Sequence, residues 1–317
     1  MAKIEIAYNL EIHDVIDPME ANELWLDGIL KDKRAFKCID ENCDAGITCK
    51  NMDTYADNRK QNPCFIMSKR ENTHSPNCKV YKELEEKTNK KRETKGERKS
   101  QYIGKKVCFH VERPENHRTI ERREVNSIND NGAASGEDPK KRCGNSRRHN
   151  SNYYRLNSLI LYYIDSRKNG TLEQDTVEMD FGKNKKYTYT LNNLFKRIQN
   201  ENEITDRNYN QYVYYGKGRV YRRKNDGGYD LVFSEKFIGS EKTVRCIIKK
   251  EVIDKCQYGK QNYIKLLESA IGKERLIYIL SSKNVIDKYN TVYLNIRTID
   301  CIAISDIDLE GDDEKGD

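Results

Sequence analysis

The chain has 317 residues, of which 34% are charged and 36% are hydrophobic, and its formal net charge is +7. This composition is polar, but aromatic and β-branched residues recur in runs, which excludes a fully disordered chain. No stretch approaches the roughly 20 apolar residues of a membrane span, and residues 1–30 lack the basic-then-apolar order of a signal peptide. We therefore expect a cytoplasmic protein that does not contact a membrane and whose ten cysteines stay reduced.

The first 30 residues predict a short strand followed by a helix. Residues 3–8 alternate polar and apolar, which is typical of a strand. Asp17 and Pro18 supply an N-cap and a proline at the first helical position, so we expect a helix from there to about Leu30. Its predicted apolar face consists of Met19, Leu24, Trp25 and Ile29.

A run of cysteines and one histidine follows the predicted helix. In chain order it contains Cys38, Cys43, Cys49, Cys64, His74 and Cys78. Thiolates and neutral imidazoles are good ligands for a borderline metal ion, and Zn²⁺ usually takes four ligands in a tetrahedron. Two close pairs that bracket a longer loop predict the metal ligands Cys38, Cys43, His74 and Cys78. Cys49 and Cys64 border apolar runs, so each is either a packed thiol or a replacement for one of these ligands.

The predicted set of four ligands favours a structural metal site. Four protein ligands complete the shell of a tetrahedral ion and leave no position for an activated water molecule. We therefore expect zinc as a structural cofactor of a small N-terminal module, and no catalytic role for it.

The same segment carries a family resemblance. It rests on Phe36-Lys37-Cys38, Cys43, Ile47-Thr48, Cys64-Phe65 and His74-Ser75-Pro76-Asn77-Cys78. With these residues the segment resembles the N-terminal zinc-binding element of CoiA-like bacterial and phage proteins. The resemblance implies a restriction-type nuclease domain, in which carboxylates hold Mg²⁺ beside a lysine. The acidic-x-Lys pairs at 85–87, 93–95 and 313–315 lie on no predicted core strand, so a Mg-dependent nuclease is the least favoured function.

The middle of the chain predicts the domain boundaries. Residues 81–106 are mostly Lys, Arg and Glu, which is typical of a solvated helix or linker, with a nucleic-acid-binding arm as the alternative. Residues 112–152 are rich in Asn, Arg and Lys, contain Gly132 to Gly136 and have few apolar anchors. We therefore predict a zinc-binding module with a charged helix or arm at 1–110, a mobile basic linker at 111–152, an α+β domain at 153–305 and an acidic tail at 306–317.

A second metal site is a further hypothesis from this region. Cys108 and His110 are two residues apart, and Cys143 and His149 lie beyond them in the predicted linker. These four residue types are again good ligands for zinc.

The predicted C-terminal domain begins at Tyr153. The spacing of Leu156, Leu159, Ile160 and Tyr163 predicts a helix that stops at Asn169-Gly170. Thr190 is expected to cap a second helix carrying Leu191, Leu194, Phe195 and Ile198. A β-meander is predicted from strands 211–215, 219–223 and 229–233, with turns at 216–218 and 226–228. Further strands are expected at 243–249, 276–281, 291–296 and 298–304, and a helix at 262–271. The predicted fold class is α+β with a mostly antiparallel sheet.

The meander also supplies a candidate binding surface, which consists of Tyr212, Tyr214, Arg219, Tyr221, Arg222 and Arg223. Tyrosine rings stack on bases and guanidinium groups pair with phosphates, while the same two residue types anchor protein interfaces. Only one face of a strand can do this, and ordinary alternation of core and surface residues is the competing interpretation.

The expected function is binding. The sequence has no Walker-type phosphate loop, dinucleotide fingerprint or nucleophile elbow. We predict a non-enzymatic, zinc-containing protein that contacts nucleic acid or a nucleic-acid-processing complex. The alternative is a phage-encoded counter-defence protein of the anti-Gabija kind, which would bind and inhibit a host nuclease complex in the host cytoplasm. The abundance of Asn, Lys, Ile and Tyr, typical of an AT-rich genome, favours this alternative.

Overall fold

The computed structural model describes residues 4–54, 61–68, 74–82, 105–113, 151–182, 185–202, 211–256, 258–281, 283–287 and 290–305. Most of the predicted charged segment and of the predicted linker lies outside these ranges, as does the acidic tail. The described residues form helices and three sheets whose strand pairings are mostly antiparallel, which confirms the predicted α+β class. None of the helices in these ranges is long and apolar enough to cross a membrane.

The N-terminal sheet has the strand order β2-β1-β3-β4-β5 and is antiparallel throughout. Its strands are β1 (Ala7–Asn9), β2 (Asp14–Ile16), β3 (Phe36–Lys37), β4 (Gly46–Lys50) and β5 (Cys64–Met67). One helix, α1 (Pro18–Leu26), packs in the same hydrophobic core.

The start of α1 is as predicted, but its end is not. The Asp17 side chain accepts hydrogen bonds from the backbone N–H groups of Met19 and Glu20, both at 2.8 Å, so it caps the helix. The helix stops at Leu26, before the predicted end, and Gly28 follows with a φ of 76°. A glycine in this left-handed conformation is a common helix terminator.

The second sheet has the order β7-β6-β8-β9. Its strands are β6 (Lys106–His110), β7 (Ser151–Tyr153), β8 (Thr176–Asp180) and β9 (Lys186–Thr190), and β6 lies parallel to both β7 and β8. The helix α2 (Leu156–Lys168) follows β7 and ends before Gly170, as predicted. The predicted boundary at residue 110 assigned β6 to the N-terminal module, whereas β6 pairs with strands that follow residue 150. The division into domains itself stays a prediction.

The largest sheet has eight strands in the order β15-β16-β13-β12-β11-β14-β17, with β10 pairing beside β11. The strands are β10 (Phe195–Arg197), β11 (Val213–Arg222), β12 (Tyr229–Phe233), β13 (Thr243–Ile248), β14 (Glu274–Leu280), β15 (Lys283–Asp287), β16 (Thr291–Asn295) and β17 (Ile302–Ser305). The helices of this region are α3 (Leu191–Leu194), α4 (Lys250–Asp254) and α5 (Lys260–Ala270). The pairings β10–β11 and β13–β16 are parallel and the others are antiparallel.

Three element predictions in this region are wrong. The expected turn at 216–218 does not form, because β11 runs straight through it and pairs with β14 on one side and with β12 on the other. The helix expected after Thr190 ends at Leu194, since Phe195–Arg197 pairs with β11 as a strand. The first half of the strand expected at 298–304 is a 3-10 turn, Ile299–Cys301.

Buried polar contacts join α1 to the second sheet. The Tyr153 hydroxyl donates to the Asp17 carboxylate at 3.0 Å. Glu23 accepts the backbone N–H groups of Tyr154 and Arg155 at 2.9 and 3.1 Å. Burial raises the pKa of Glu23 to about 8. The Glu23 side chain is almost completely buried, although the buried face predicted for α1 contained only apolar residues.

A cluster of ion pairs continues these buried polar contacts to the large sheet. Asp27, after α1, pairs with Arg113 and with Arg155, the latter at 2.6 Å. Arg113 also donates through Nε to Asp300 at 2.9 Å, and the Tyr263 hydroxyl donates to Asp300 at 2.6 Å. Side chains from all three parts of the fold therefore share one buried polar network, called here the junction.

Candidate metal centre

The four predicted ligands Cys38, Cys43, His74 and Cys78 come together in the structure. Their donor atoms all lie within 4.8 Å of one another. The Sγ atoms of Cys38 and Cys78 are 3.7 Å apart, and His74 Nδ1 lies 3.4 Å from Cys43 Sγ and 3.5 Å from Cys78 Sγ. We call these four residues the Cys/His cluster.

These separations match the edges of a metal-centred tetrahedron. Bonds of about 2.3 Å to sulfur and about 2.0–2.1 Å to nitrogen place two sulfurs about 3.8 Å apart and a sulfur about 3.5 Å from a nitrogen. The four residues therefore form a possible metal site whose dimensions suit a tetrahedral ion with sulfur and nitrogen ligands.

Two short turns supply the ligands. Cys38 follows β3, and its N–H donates to Ala45 O at 3.0 Å; within that turn, Cys43 N–H donates to Asp40 O at 3.0 Å. In the second turn, Cys78 N–H donates to Ser75 O at 2.9 Å, and residues 79–82 are helical. Each turn brings two residues that are close in sequence to one side of the cluster, so local spacing predicted the two pairs, while only the structure separates Cys49 and Cys64 from them.

Two further residues, Asp40 and Ser75, support the cluster and were missed by the sequence analysis. The Asp40 N–H approaches Cys38 Sγ at 3.5 Å, and the Ser75 N–H approaches Cys43 Sγ at 3.4 Å. The Asp40 carboxylate also accepts the N–H groups of Lys79 at 2.7 Å and Asn42 at 3.0 Å, so it ties the two turns together. The pKa of Asp40 is lowered mainly by the hydrogen bond that its carboxylate accepts from the backbone N–H of Lys79. An aspartate between paired ligands is a signal that sequence reasoning can use.

The pKa values of Cys43 and His74 shift toward the forms that bind a metal, and those of Cys38 and Cys78 shift away from them. Burial raises the pKa of the Cys38 and Cys78 thiols. Burial also raises the pKa of the Cys43 thiol, but hydrogen bonds, chiefly from the backbone of Ser75 and Ala45, lower it by more. The pKa of Cys43 therefore lies below its usual value. Burial lowers the pKa of His74, which favours the neutral imidazole that a metal requires.

The alternative cysteines do not join this group. Cys49 is fully buried, and its Sγ lies 3.9 Å from Pro18 O. Cys64 is half-buried at the start of β5 and has no place among the clustered donors. Both therefore fit the packed-thiol interpretation.

The structure brings together half of the hypothetical second metal site. Cys108 and His110 lie on β6 within reach of Asp180 on β8. Burial, followed by the charge of Glu178, raises the pKa of Cys108 to about 11. Cys143 and His149 lie outside the described residues. So do the three acidic-x-Lys pairs considered for a nuclease.

The predicted binding surface does not form a single surface. Tyr214 is buried in the core on one face of the large sheet, and Tyr212 is half-buried beside it. Alternation along β11 places Arg219 and Tyr221 on one face and Arg222 on the other. Arg222 pairs with Glu268 at 2.8 Å, and Arg223 pairs with Asp226 at 3.0 Å. Tyr214 in particular is not available to a partner.

A different set of residues shares the face of Arg219. Strand register aligns Arg219 with Val232 on β12, Val232 with Arg245 on β13, and Arg245 with Tyr293 on β16. Arg219 is exposed, and Val232, Arg245 and Tyr293 are half-buried. Tyr221 is 46% exposed on the same face. We call Arg219, Tyr221, Val232, Arg245 and Tyr293 the Arg219 face.

Sequence reasoning missed part of this face because its members come from four strands. Only the register of the folded sheet aligns Arg245 and Tyr293 with Arg219. Arg245 also pairs with Asp230, which lies opposite Tyr221 in the sheet. Register also sets Glu274 on β14 directly opposite Arg219, and Lys217 lies on the same face of β11, so this side of the sheet carries charges of both signs.

Comparison of the chain with protein-family models, with curated proteins and with solved structures found no match in any of the three sets. The resemblance to CoiA-like proteins therefore stays a prediction.

Proposed function

We propose that this chain is a non-enzymatic binding protein in which the Cys/His cluster holds a structural zinc ion. The observation that carries the proposal is the agreement between the Sγ–Sγ and Sγ–Nδ1 separations and the edges of a zinc-centred tetrahedron. Three thiolates and one imidazole form a donor set that binds zinc in preference to hard cations such as Mg²⁺ and Ca²⁺. Four protein ligands complete the shell, so the ion stabilises the module and activates no water.

The binding partner in this proposal is nucleic acid or a complex that processes it. The chain is basic overall, and the Arg219 face combines guanidinium groups with tyrosine rings. Guanidinium groups neutralise phosphates and tyrosines stack on bases. The opposite face of the same strands carries a hydrophobic core, so the Arg219 face is the side of this sheet that supports contact with a partner.

Binding to labelled single- and double-stranded DNA and RNA, measured at several salt concentrations, tests the nucleic-acid proposal. We expect affinity to fall as salt rises, because phosphate contacts release counterions. Arg219→Ala should weaken binding by roughly 3- to 10-fold and lower the salt slope by about one. Arg222→Ala is the matched control, because it removes the same charge from the opposite face of the same strand.

Two results would contradict this assignment. Equal losses in Arg219→Ala and Arg222→Ala would show that general charge, and not this face, drives binding. Absence of binding even at low salt would rule out direct contact with nucleic acid. Retention of a nucleic-acid-processing complex by the wild-type chain, weakened by Arg219→Ala, would then support the protein-contact form of the proposal.

A further inference from the structure

A second group of donor atoms lies on the polar face of the second sheet. The parallel pairing of β6 and β8 sets His110 opposite Asp180 and Cys108 opposite Glu178, so all four side chains share one face. Cys108 Sγ, a ring nitrogen of His110 and a carboxylate oxygen of Asp180 lie within 4.8 Å of one another. These residues share no ligand with the Cys/His cluster.

The contacts of the two ring nitrogens of His110 indicate where its proton lies. His110 Nε2 lies 3.0 Å from Asn152 Oδ1, and an amide oxygen only accepts, so this contact is a hydrogen bond when Nε2 carries the proton. The neutral ring then presents the lone pair of Nδ1 to Asp180 Oδ2 at 3.3 Å. Two acceptors at this distance require a positive charge between them, which is either a second ring proton or a metal ion.

The imidazole and the carboxylate are both held in place. The His110 ring stacks on Tyr154, with the ring centroids 4.9 Å apart. Asp180 Oδ1 accepts the Gly182 N–H at 2.9 Å, which leaves Oδ2 directed at His110. A hydrogen-bonded imidazole beside an oriented carboxylate is the arrangement in which histidines ligate metals.

The thiol of Cys108 favours the metal ion. A protonated histidine paired with Asp180 needs no third group, whereas Cys108 Sγ lies within 4.8 Å of the other two donor atoms, as a third ligand would. Tetrahedral bonds of about 2.0–2.2 Å place nitrogen and oxygen ligands about 3.4 Å apart, close to the separation of His110 Nδ1 and Asp180 Oδ2. We propose that Cys108, His110 and Asp180 bind a divalent transition-metal ion of the zinc type, independently of the Cys/His cluster.

The neighbouring charges allow such an ion. Lys106 and Lys186 lie on the same face, but both ammonium groups are held by Glu178, at 2.6 and 2.9 Å. Lys186 is farther from Asp180 Oδ2, at 3.8 Å. The His110 and Asp180 side chains are each 20% exposed, so solvent reaches the site. Three chain ligands leave a tetrahedral ion one position for water or for a donor atom of a partner.

Metal content of the full-length chain tests this proposal. Zinc-loaded, buffer-exchanged wild-type protein should hold about two equivalents of Zn²⁺ by elemental analysis. Asp180→Asn and Cys108→Ser should each lose about one equivalent, while Cys78→Ser loses the other. After Co²⁺ replaces Zn²⁺, the thiolate charge-transfer absorption should be weaker in Cys108→Ser than in the wild type, because one of the four sulfur ligands is removed.

Matched controls separate loss of the site from loss of the fold. Glu251→Gln alters an exposed carboxylate outside both groups and Cys64→Ser removes a thiol outside both groups, so both variants should keep two equivalents. Asp180→Asn is nearly isosteric, and its circular dichroism should match that of the wild type. A wild-type content of one equivalent, or two equivalents retained in both Asp180→Asn and Cys108→Ser, would overturn the second site and leave a simple His110–Asp180 ion pair.

Discussion

At the scale of single residues, the geometry of the Cys/His cluster depends on groups outside the four candidate ligands. Asp40 joins the two ligand-bearing turns through the N–H groups of Lys79 and Asn42, and backbone N–H groups point at two of the sulfurs. Such contacts orient ligands and stabilise thiolates. Burial raises the pKa of Cys38 and Cys78, so these thiols need a cation to ionise at neutral pH. Metal binding and folding of the module are therefore expected to be coupled.

This coupling predicts the behaviour of Cys78→Ser. The variant should lose about one equivalent of zinc and unfold at a lower temperature than the wild type, because the free energy of metal binding contributes to folding. Elemental analysis and thermal unfolding with and without a chelator measure both effects. Cys64→Ser is the thiol control and should behave like the wild type. Unchanged zinc content in Cys78→Ser would show that the ligand set is wrong.

At the scale of elements, local patterns predicted the interior of the elements they found better than the limits. The strands expected at 229–233 and 243–249 and the helix expected from Leu156 all form, and β13 buries every second residue, as a half-buried strand should. Two glycines in 216–218 were interpreted as a turn, but Gly218 lies where β12 and β14 crowd β11. A Cβ there would lie 2.7 Å from Val232 O and 2.9 Å from Ile277 Cδ1. Close packing, and not a turn, explains this glycine.

Gly218→Ala should therefore destabilise the protein. The added methyl group meets backbone on one side and a buried side chain on the other, so we expect a loss of about 1–3 kcal/mol in the free energy of unfolding. Denaturant titration measures this loss. Lys217→Ala, at the exposed neighbouring position, should change stability by less than about 0.5 kcal/mol. A Gly218→Ala variant as stable as Lys217→Ala would argue against the crowded packing.

At the scale of the whole molecule, the junction joins the three sheets through buried charges. Asp27 and Asp300 come from distant parts of the sequence, and Arg113 contacts both of them. Removing one partner from such a network leaves another charge buried without compensation, which is strongly destabilising. Glu23 belongs to the same region and binds the backbone at the start of α2. We therefore expect the junction to couple the folding of the N-terminal sheet, which carries the Cys/His cluster, to the folding of the second sheet.

Glu23 gives this coupling a pH dependence. Its pKa is about 8 in the folded chain, against an ordinary value of 4.5, so the folded state holds its proton more tightly than the unfolded state. The contribution of Glu23 to stability is complete below about pH 4.5 and is lost as the pH rises to about 8, a change on the order of 5 kcal/mol. Glu23→Gln, which cannot ionise, should flatten the pH dependence of unfolding over this range.

Urea unfolding at several pH values measures this effect. Glu251→Gln, a change at an exposed carboxyl, is the control and should keep the wild-type slope. A slope in Glu23→Gln equal to that of the wild type would show that Glu23 ionises normally in the folded protein.

The function and the partner named in the sequence analysis, including the phage counter-defence alternative, stay predictions. What the sequence determined by itself was local chemistry: the four residues that meet in the Cys/His cluster, the capped start of α1, the regular strands and the α+β class. These follow from residue types that are close in the chain or recur at a fixed period. Only the tertiary structure placed Asp180 beside His110, aligned Arg245 with Arg219 and buried Tyr214 and Glu23. Such contacts depend on strand register and on the packing of layers, which the whole fold decides and which no local pattern contains.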